Sequence, residues 1–474
     1  MQPRSAEDLH AFGRKLRKQH PRSKHATWNP GLRHRDSLTL LRESLRGRLP
    51  RLFPLRYRLM AASPFGFFRG AVPVMAYDLS RLPNSGVVTQ LCGDAHVRNL
   101  GAYAGIDGNL VFDINDFDET LRGPFEWDVK RLSTSLLLAG RAAHIKNSAS
   151  NQAASHFLER YRKSMGLFAD MPVLELARHQ VRRLDHTAAV AAVLDKAERS
   201  TPLHNLETLT APLASKQGKH HNKSTASIKS RSSGNSKTSD KSATSSNSEA
   251  TSGSNTDSTR IFNSTPPTLE RVTGSERDAV LDSLTLYRKN LQPDRRHFLD
   301  QYRPVDVAFK VVGTGSVGLR DFCVYLEGNG PDDPLFLQIK EEAPSAWTAF
   351  VTDPPATPTH QGRRVAEGQR AMQLQSDPFL GWTTLDNRDF LVRQLNDHKG
   401  TIDLESLSPE ILISYADLCG ELLARGHARS GNPAALHGYI GKSPRFDTAI
   451  LKFSQAYADQ TELDWKHLVA AKHL

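Results

Sequence analysis

Cysteine is scarce in this sequence, and long apolar runs are absent from it. The three cysteines, Cys92, Cys323 and Cys419, lie far apart and form no Cys-x-x-Cys pair. Their number and spacing argue against a disulfide framework or a structural zinc site and predict a reducing, cytoplasmic setting. No run of about 18 apolar residues occurs, and the first 20 residues are polar. Neither a transmembrane helix nor a signal peptide is therefore predicted.

A clustered basic surface is also missing, although the chain of 474 residues has a net charge of +11. Six Lys and two Arg, against three acidic residues, fall in the tract 215–260, and the remaining positive charge is dispersed. A nucleic-acid interface would show Lys and Arg interleaved with aromatic residues along one stripe. Nucleic acid is thus not favoured as a partner and no membrane partner is expected, whereas the oligomeric state is left open.

The same tract, 215–260, divides the chain. It holds 15 serines in 46 residues and one aliphatic side chain larger than Ala, Ile228. Such a segment cannot bury enough apolar surface to offset the entropy lost on ordering. We predict a disordered insertion within a linker that spans 201–275.

Hydrophobic periodicity differs on the two sides of this linker. Residues 120–200 and 275–300 show apolar side chains three and four apart, which predicts helices. "DVAFKVVGTGSVGLRDFCVYLEG", "DPLFLQIKEEA" and the later "DFLVRQL" are short runs typical of strands. Helices are predicted again for "GRRVAEGQRAMQLQ", "ISYADLCGELLARGHARSG" and "AILKFSQAYADQTELDWKHLVAA".

Acidic and amide side chains follow two short apolar runs before the linker. In "QLCGDAHVRNLG", Asp94, His96 and Asn99 fall within six residues, and the predicted strand of "LVFDINDFDE" carries Asp113 and Asp116 towards its end. Phosphoryl transfer needs a carboxylate beside the attacking hydroxyl, and an amide and a second carboxylate to hold Mg²⁺ on the phosphates. A lone Asp-x-His-x-x-Asn would more often cap a turn, but the acidic strand that follows favours phosphoryl transfer.

With Asp128 at the start of the next helix, these segments resemble the catalytic half of the protein-kinase-like fold in aminoglycoside and choline phosphotransferases. The resemblance implies that Asp94 is the general base, Asn99 a metal ligand and His96 a support for the loop. Asp128 then corresponds to the aspartate of the family's D-L-A motif.

Two positions depart from a simple match to those enzymes. Asp113 and Asp116 compete for the second metal-ligand role, and Asp116 is favoured because it precedes a Phe and lies twelve residues before Asp128. Cys92 stands where the phosphotransferases often have His, so the catalytic loop is expected to be held differently.

The glycine-rich loop and lysine of such a fold are missing before Asp94 and occur more than 200 residues later. "VVGTGSVG" places Gly313, Gly315 and Gly318 in a G-x-G-x-x-G pattern. A dinucleotide-binding turn would need a helix after the glycines, but the next residues alternate as in a strand. The resemblance implies that Lys340 of "LFLQIKEEA" binds phosphate and that Glu367 is its ion-pair partner.

The strand "DFLVRQL" completes the predicted nucleotide-binding lobe. The resemblance implies that it enters a hinge in which backbone groups of Gln394 and Leu395 meet adenine. The fold class predicted is therefore α+β, a two-lobed protein-kinase-like fold in circularly permuted order. Its parts are a helical catalytic lobe (1–200), a small antiparallel β lobe (276–395) and helices that complete the catalytic lobe (396–474). Chain ends that meet at a surface make such a permutation physically reasonable.

The whole chain also resembles a family known as domain of unknown function 2252. The resemblance rests on "ASPFGFFRG", "QLCGDAHVRNLG", "VFDINDFDETLRGPFEWDVKRL", "GTGSVGLR", "EGQRAMQ", "VRQLNDHKG" and "ARGHARSGN", and it covers nearly all of residues 10–470 apart from the Ser-rich tract. The family brings no established substrate.

The function expected from the motifs is an ATP- and Mg²⁺-dependent phosphotransferase that acts on a small-molecule acceptor. Two alternatives stay open: an AMP transferase that binds the nucleotide in the reverse direction, and a nucleotide-binding pseudoenzyme that acts through protein contacts. "ASPFGFFRGAVPVMAYDL" has no counterpart in the kinase motif set. Its Arg69 could reach a phosphate or an acidic substrate, or could lie against a carboxylate of the protein.

Overall fold

Helices begin where short polar side chains can accept hydrogen bonds from the free amides of the first turn. Ser5, Asp36, Ser63, Ser408 and Asn432 each do so in the computed structural model, which describes residues 5–181, 188–213, 260–311, 313–351, 358–395, 400–404 and 407–473. The helices are α1 (Ala6–Gln19), α2 (Ser37–Glu43), α3 (Phe53–Ala61), α4 (Pro64–Gly70), α5 (Val72–Ser80), α6 (Glu126–Ala142), α7 (Asn147–Asp170), α8 (Val173–Arg178), α9 (Ala188–Arg199), α10 (Pro202–Leu209), α11 (Gly274–Asn290), α12 (Pro293–Leu299), α13 (Gln361–Met372), α14 (Pro409–Ser430), α15 (Pro433–Ile440) and α16 (Arg445–Ala471).

The strands pair antiparallel throughout the described residues. They are β1 (Val88–Leu91), β2 (Leu100–Ala104), β3 (Leu110–Ile114), β4 (Leu121–Pro124), β5 (Thr210–Pro212), β6 (Arg260–Phe262), β7 (Leu269–Val272), β8 (Arg303–Lys310), β9 (Asp321–Glu327), β10 (Pro334–Glu341), β11 (Gly381–Leu385), β12 (Arg388–Gln394) and β13 (Gly400–Thr401). The predicted α+β class is confirmed at this level.

The largest sheet has six strands in the order β11-β12-β10-β9-β8-β7. Successive side chains of a strand point to opposite faces. One face carries Val307, Val324 and Leu337 into an apolar cluster with α11. The opposite face carries Phe336 and, four residues later on the same strand, Lys340. This second face is turned towards the catalytic loop because Lys340 reaches an acidic segment there.

Two small sheets position the catalytic loop. β1 pairs with β4, and β2 pairs with both β3 and β13. The loop that contains Asp94 therefore leaves β1 and enters β2, while the segment that contains Asp116 leaves β3 and enters β4. Both loops rest on a large core formed by α6, α7, α14 and α16, in which 15 of the 17 residues of α6 are buried.

The helices and strands predicted on both sides of the linker are confirmed, with α6 and α7 before it and β8, β9, β10, α13, β12, α14 and α16 after it. The linker prediction for 201–275 is wrong in part, because α10, β5, β6 and β7 fall within it. Leu206, Phe262 and Leu269 bury their side chains on the six-stranded sheet, and this burial stabilises these short elements. The predicted disordered tract lies outside the described residues except for Arg260, which begins β6.

No described helix combines the length and the apolar character that crossing a membrane requires.

Replacing 214–259 with a short Gly-Ser turn should change the melting temperature by less than about 3 °C. β5 and β6 pair with Pro212 opposite Arg260, so the two ends of the removed segment are already hairpin neighbours. Differential scanning calorimetry of the full chain and the shortened chain checks this. A drop of about 10 °C or more would show that the removed residues contribute to the folded core.

Candidate active site

The loop between β1 and β2, which contains Asp94, is fixed through its backbone. Asp128 accepts hydrogen bonds from the amides of Cys92 (2.8 Å) and Gly93 (3.0 Å), and the indole of Trp347 donates to the Gly93 carbonyl (2.8 Å). Gly93 has a φ of 82°, and a Cβ there would lie 2.0 Å from the Glu119 carbonyl oxygen. Only glycine fits this close approach. Cys92 thus takes part through its amide, and Asp128 is a positioning residue.

Asp94 lies at the mouth of this loop, bound to a buried arginine. Arg131 donates through Nε to Asp94 Oδ1 (2.7 Å) and through Nη2 to the Phe68 carbonyl (2.9 Å). Burial raises the pKa of Asp94 to about 6. The positive charge of Arg131 opposes this shift, and the negative charge of Asp116 adds to it. Asp94 is therefore ionised at neutral pH and basic enough to accept a proton.

His96 and Asn99 hold the rest of the loop in shape. His96 accepts a hydrogen bond from the Arg98 amide (3.2 Å), and burial together with nearby arginines lowers its pKa well below the usual range. His96 is thus a neutral support. Asn99 donates its amide nitrogen to the Asp94 carbonyl (2.8 Å), while its amide oxygen accepts no hydrogen bond from the described residues. Asn99 itself is buried and is not among the residues that line the cleft.

The acidic segment after β3 meets the glycine-rich half of the chain. Asp118 forms an ion pair with Lys340, 222 residues away in sequence. Burial opposes ionisation of Asp118, but the charge and hydrogen bond of Lys340 outweigh it and lower the pKa of Asp118 to about 2. Burial likewise opposes the charge of Lys340, yet Asp118 and Asp116 raise its pKa. Both groups are charged at neutral pH.

Asp113, the alternative metal ligand, is committed elsewhere. It is buried in an ion pair with Arg425, and the two side chains are 1% and 2% exposed. Asp116 instead borders the open cleft and bonds only weakly to the Asp118 amide (3.3 Å) among the described residues. The structure therefore separates the two candidates, with Asp116 at the cleft and Asp113 in the core.

The expected ion pair between Lys340 and Glu367 is wrong. Glu367 pairs with Arg363 on the partly exposed side of α13 (2.7 Å). The residue that α13 turns towards the site is Arg364, which donates to the carbonyls of Asp118 (2.9 Å) and Ala343 (2.9 Å). Arg364 is buried at this contact, whereas the Glu367 carboxylate is partly exposed and is held by Arg363.

The glycine turn joins β8 to β9 with no helix after Gly318, as expected. Gly313 and Gly318 have φ values of 70° and 99°. Arg48 donates to the carbonyls of Gly315 (2.9 Å) and Val317 (2.8 Å), and buried Arg56 donates to that of Thr314 (3.2 Å). An N-terminal segment that showed no signal in the sequence therefore holds the turn.

The backbone amides of Gln394 and Leu395, which were expected to meet adenine, are both occupied by hydrogen bonds within the protein. The Gln394 amide donates to Asp377 Oδ2 (2.5 Å), and the Leu395 amide donates to the Phe336 carbonyl (2.9 Å). Leu395 is buried in the cluster that contains Leu206 and Phe262. These backbone groups already bond within the protein.

Asp94, His96 and Asp116 meet Gly313 and Gly315 in one open cleft. The other residues that line it are Arg48, Arg69, Val72, Asp118, Glu119, Thr314, Ser316, Leu319, Glu342 and Ala343. Gly318 and Lys340 line a smaller neighbouring pocket behind the turn. The described residues hold no group of three or more His, Cys, Asp or Glu side chains arranged to bind a metal by themselves.

Sequence reasoning missed Asp118, Arg131 and Arg364. Asp118 follows Asp116 by two residues, and this run of acids was the available signal. Arg131 and Arg364 lie within helical patterns, and these patterns do not show that their side chains face the site.

A profile of an uncharacterised protein family conserved in bacteria, DUF2252, matches residues 48–471. The chain belongs to the DUF2252 family. No curated protein and no solved structure matches the sequence significantly. The matched range includes every residue that lines the cleft, and it begins at one of them, Arg48.

Asp113→Asn should destabilise this DUF2252 member by about 3 kcal/mol, because it leaves the buried Arg425 charge without a counterion. Asp116→Asn makes the same chemical change at the cleft and should cost less than about 1 kcal/mol. Urea unfolding of the two variants measures the difference. Equal losses would contradict the separation of the two aspartates.

Proposed function

We propose that this protein is an ATP- and Mg²⁺-dependent phosphotransferase with a small-molecule acceptor, built on a circularly permuted kinase-like fold. The observation that carries the proposal is the ion pair between Lys340 and Asp118. It links the strand that follows the glycine hairpin to the acidic segment beside Asp94. Phosphoryl transfer depends on positioning and electrostatic stabilisation of phosphate oxygens, which this combination of groups supplies.

Asp94 is the proposed general base. Its pKa of about 6 leaves it ionised at neutral pH and able to take the proton of an acceptor hydroxyl. Arg131 holds one carboxylate oxygen at 2.7 Å and so fixes the orientation of the group. The second oxygen, Oδ2, lies 3.7 Å from His96 Nε2 and is left to face the acceptor.

The donor set fits Mg²⁺ bound together with nucleotide phosphates. Mg²⁺ in such sites commonly has only one or two protein carboxylates and completes its coordination with phosphate oxygens and water. The Asn99 amide oxygen and the Asp116 carboxylate would hold it. Asp118 Oδ1 is buried without a hydrogen-bond partner in the described structure, which also favours a nearby cation. When bound, Mg²⁺ would neutralise charge on the phosphate oxygens.

The glycine turn and Lys340 would bind the phosphates from the other side. The turn lies above the cleft with Gly313 and Gly315 at its edge, so phosphate oxygens could approach its backbone closely. Arg48 and Arg56 bond to backbone carbonyls of the turn and have no carboxylate within 4 Å among the described residues. The positive charge of Arg48 and Arg56 beside the turn favours a polyanionic ligand, although Glu119 offsets part of that charge.

An AMP transferase is the second candidate, because the amides of Gln394 and Leu395 that were expected to meet adenine bond within the protein. Leu206 and Phe262 cover the outer end of the sheet face beside Phe336, where a conventionally oriented purine would lie. A nucleotide in the reverse direction would avoid this cover and present its α-phosphate near Asp94.

Mass analysis of the products separates the candidates: ADP indicates phosphoryl transfer, and pyrophosphate indicates AMP transfer. If neither ADP nor pyrophosphate forms with ATP, Mg²⁺ and a panel of metabolites, the pseudoenzyme is favoured.

Asp94→Asn should lower turnover by about 10²- to 10⁴-fold, because it removes the general base. The affinity for Mg²⁺·ATP should change by less than about twofold, since Asp94 is not assigned to nucleotide binding. Turnover assays and calorimetry measure the two effects. Undiminished turnover would reject Asp94 as the base.

Asp116→Asn should remove the Mg²⁺ dependence of ATP binding, whereas Asp113→Asn should retain it. The first change neutralises the proposed metal ligand, and the second affects a core ion pair. Calorimetric titrations of ATP with and without Mg²⁺ test this on folded protein. Loss of Mg²⁺ dependence in both variants would contradict the assignment.

The rate of the wild-type enzyme at low substrate should rise with pH between 5 and 7, with its midpoint near the Asp94 pKa of about 6. Asp94 must be ionised to accept a proton, so activity is lost as pH falls through that value. A pH profile of kcat/KM checks this. A flat profile over this range would argue against base catalysis by Asp94.

A further inference from the structure

Arg69 is fixed beside the proposed base. It is the penultimate residue of α4, and Arg131 donates to the carbonyl of the preceding Phe68 while it holds Asp94. The glycine turn passes just above, because a Cβ at Gly315 would lie 3.6 Å from the Arg69 carbonyl oxygen. The Arg69 side chain lines the cleft together with Asp94, His96 and Asp116.

The guanidinium of Arg69 has no partner among the described residues. Its Nε is buried without a hydrogen bond, and no carboxylate of the described chain lies within 4 Å of its nitrogens. Burial and the nearby charge of Arg98 lower its pKa, and the negative charges of Asp94 and Asp116 oppose this shift. Desolvating a guanidinium without a partner is costly, and proteins normally pair such groups. Arg69 forms no ion pair within 4 Å with a carboxylate of the described residues, although the charges of Asp94 and Asp116 act on it.

Other arginines that have structural roles in this molecule are bonded to carboxylates or carbonyls of the protein. Arg425 pairs with Asp113, and Arg33 pairs with Asp78 and Asp464. Arg48 and Arg56 use their terminal nitrogens on backbone carbonyls of the glycine turn. Arg69 does neither, although it is one of the residues that line the cleft.

We propose that Arg69 binds an oxyanion, a phosphoryl or carboxylate group, directly beside Asp94, and that this group belongs to the acceptor. The acceptor class is then a small molecule that carries both a hydroxyl and an anionic group. The assignment to the acceptor rests on the proposed function, whereas the oxyanion site itself does not. Guanidinium binds such groups through paired, charge-assisted hydrogen bonds.

The acceptor is favoured over the nucleotide because Arg69 directly follows the residue whose carbonyl anchors Arg131 beside the proposed base. Lys340, Asn99 and Asp116 are the groups proposed for the nucleotide phosphates and their metal. Arg69 lies instead on α4, tied through Arg131 to Asp94, where the attacking hydroxyl must arrive. An anionic group held there would orient that hydroxyl towards Asp94.

The experiment measures binding of inorganic phosphate by calorimetry, with and without saturating Mg²⁺ and a non-hydrolysable ATP analogue. We expect wild type to bind phosphate under both conditions and Arg69→Gln to bind it at least about tenfold more weakly. Arg98→Gln removes the same charge from an adjacent exposed residue and should change the affinity by less than about threefold. Arg69→Lys keeps the charge and should retain part of the affinity, and melting curves verify that each variant folds.

The remaining outcomes separate the possible sources of the oxyanion. If the ATP analogue displaces phosphate and Arg69→Gln weakens the analogue itself about tenfold, the oxyanion is a nucleotide phosphate and the acceptor assignment is overturned. If wild type binds no phosphate, or if Arg69→Gln matches wild type, the oxyanion site is overturned. If no protein binds the analogue but phosphate binding still depends on Arg69, the proposed function fails while the oxyanion site is supported.

Discussion

The ion pair between Lys340 and Asp118 is the contact on which the cleft depends. It joins β10 to the segment between β3 and β4, and each partner is charged only because the other offsets its burial. Arg364 reinforces the same junction by donating to the carbonyls of Asp118 and Ala343. A buried pair of this kind adds little net stability, but breaking it leaves one charge unpaired. It therefore specifies how the two halves of the chain meet.

Charge in the cleft is divided between two walls. Arg48, Arg56 and Arg69 lie around the glycine turn, while Asp94 and Asp116 lie on the catalytic loop and the acidic segment. These arginines form no ion pair within 4 Å in the described residues, although Asp94 and Asp116 act on Arg69 through their charge. A ligand that brings both a polyanion and a divalent cation would interact with both walls, which is consistent with the proposed metal–nucleotide complex.

Sequence patterns anticipated many elements but only part of the site. Alternation in "DFCVYLEG" and helical spacing in "GRRVAEGQRAM" predicted β9 and α13 because both patterns reflect which face is buried. Asp94, His96, Asn99 and Asp116 could be selected because carboxylate, imidazole and amide groups clustered along the chain. Glu367 was selected for the wrong role, because one sequence does not show which side of α13 faces Lys340. Gln394 and Leu395 were misassigned because hydrogen bonds to Asp377 and Phe336 are invisible in sequence.

The sequence by itself determined the α+β class, the identity of the main helices and strands, and the chemical types available for a phosphate site. These properties follow from local periodicity and from residue chemistry, which are encoded within short windows. Tertiary structure alone decided that Lys340 meets Asp118, that Asp113 is neutralised by Arg425 and that Arg69 is left without a protein partner. Each of these outcomes depends on a contact between residues more than 200 positions apart, or on the absence of such a contact. Local sequence does not specify which distant charges will be buried together.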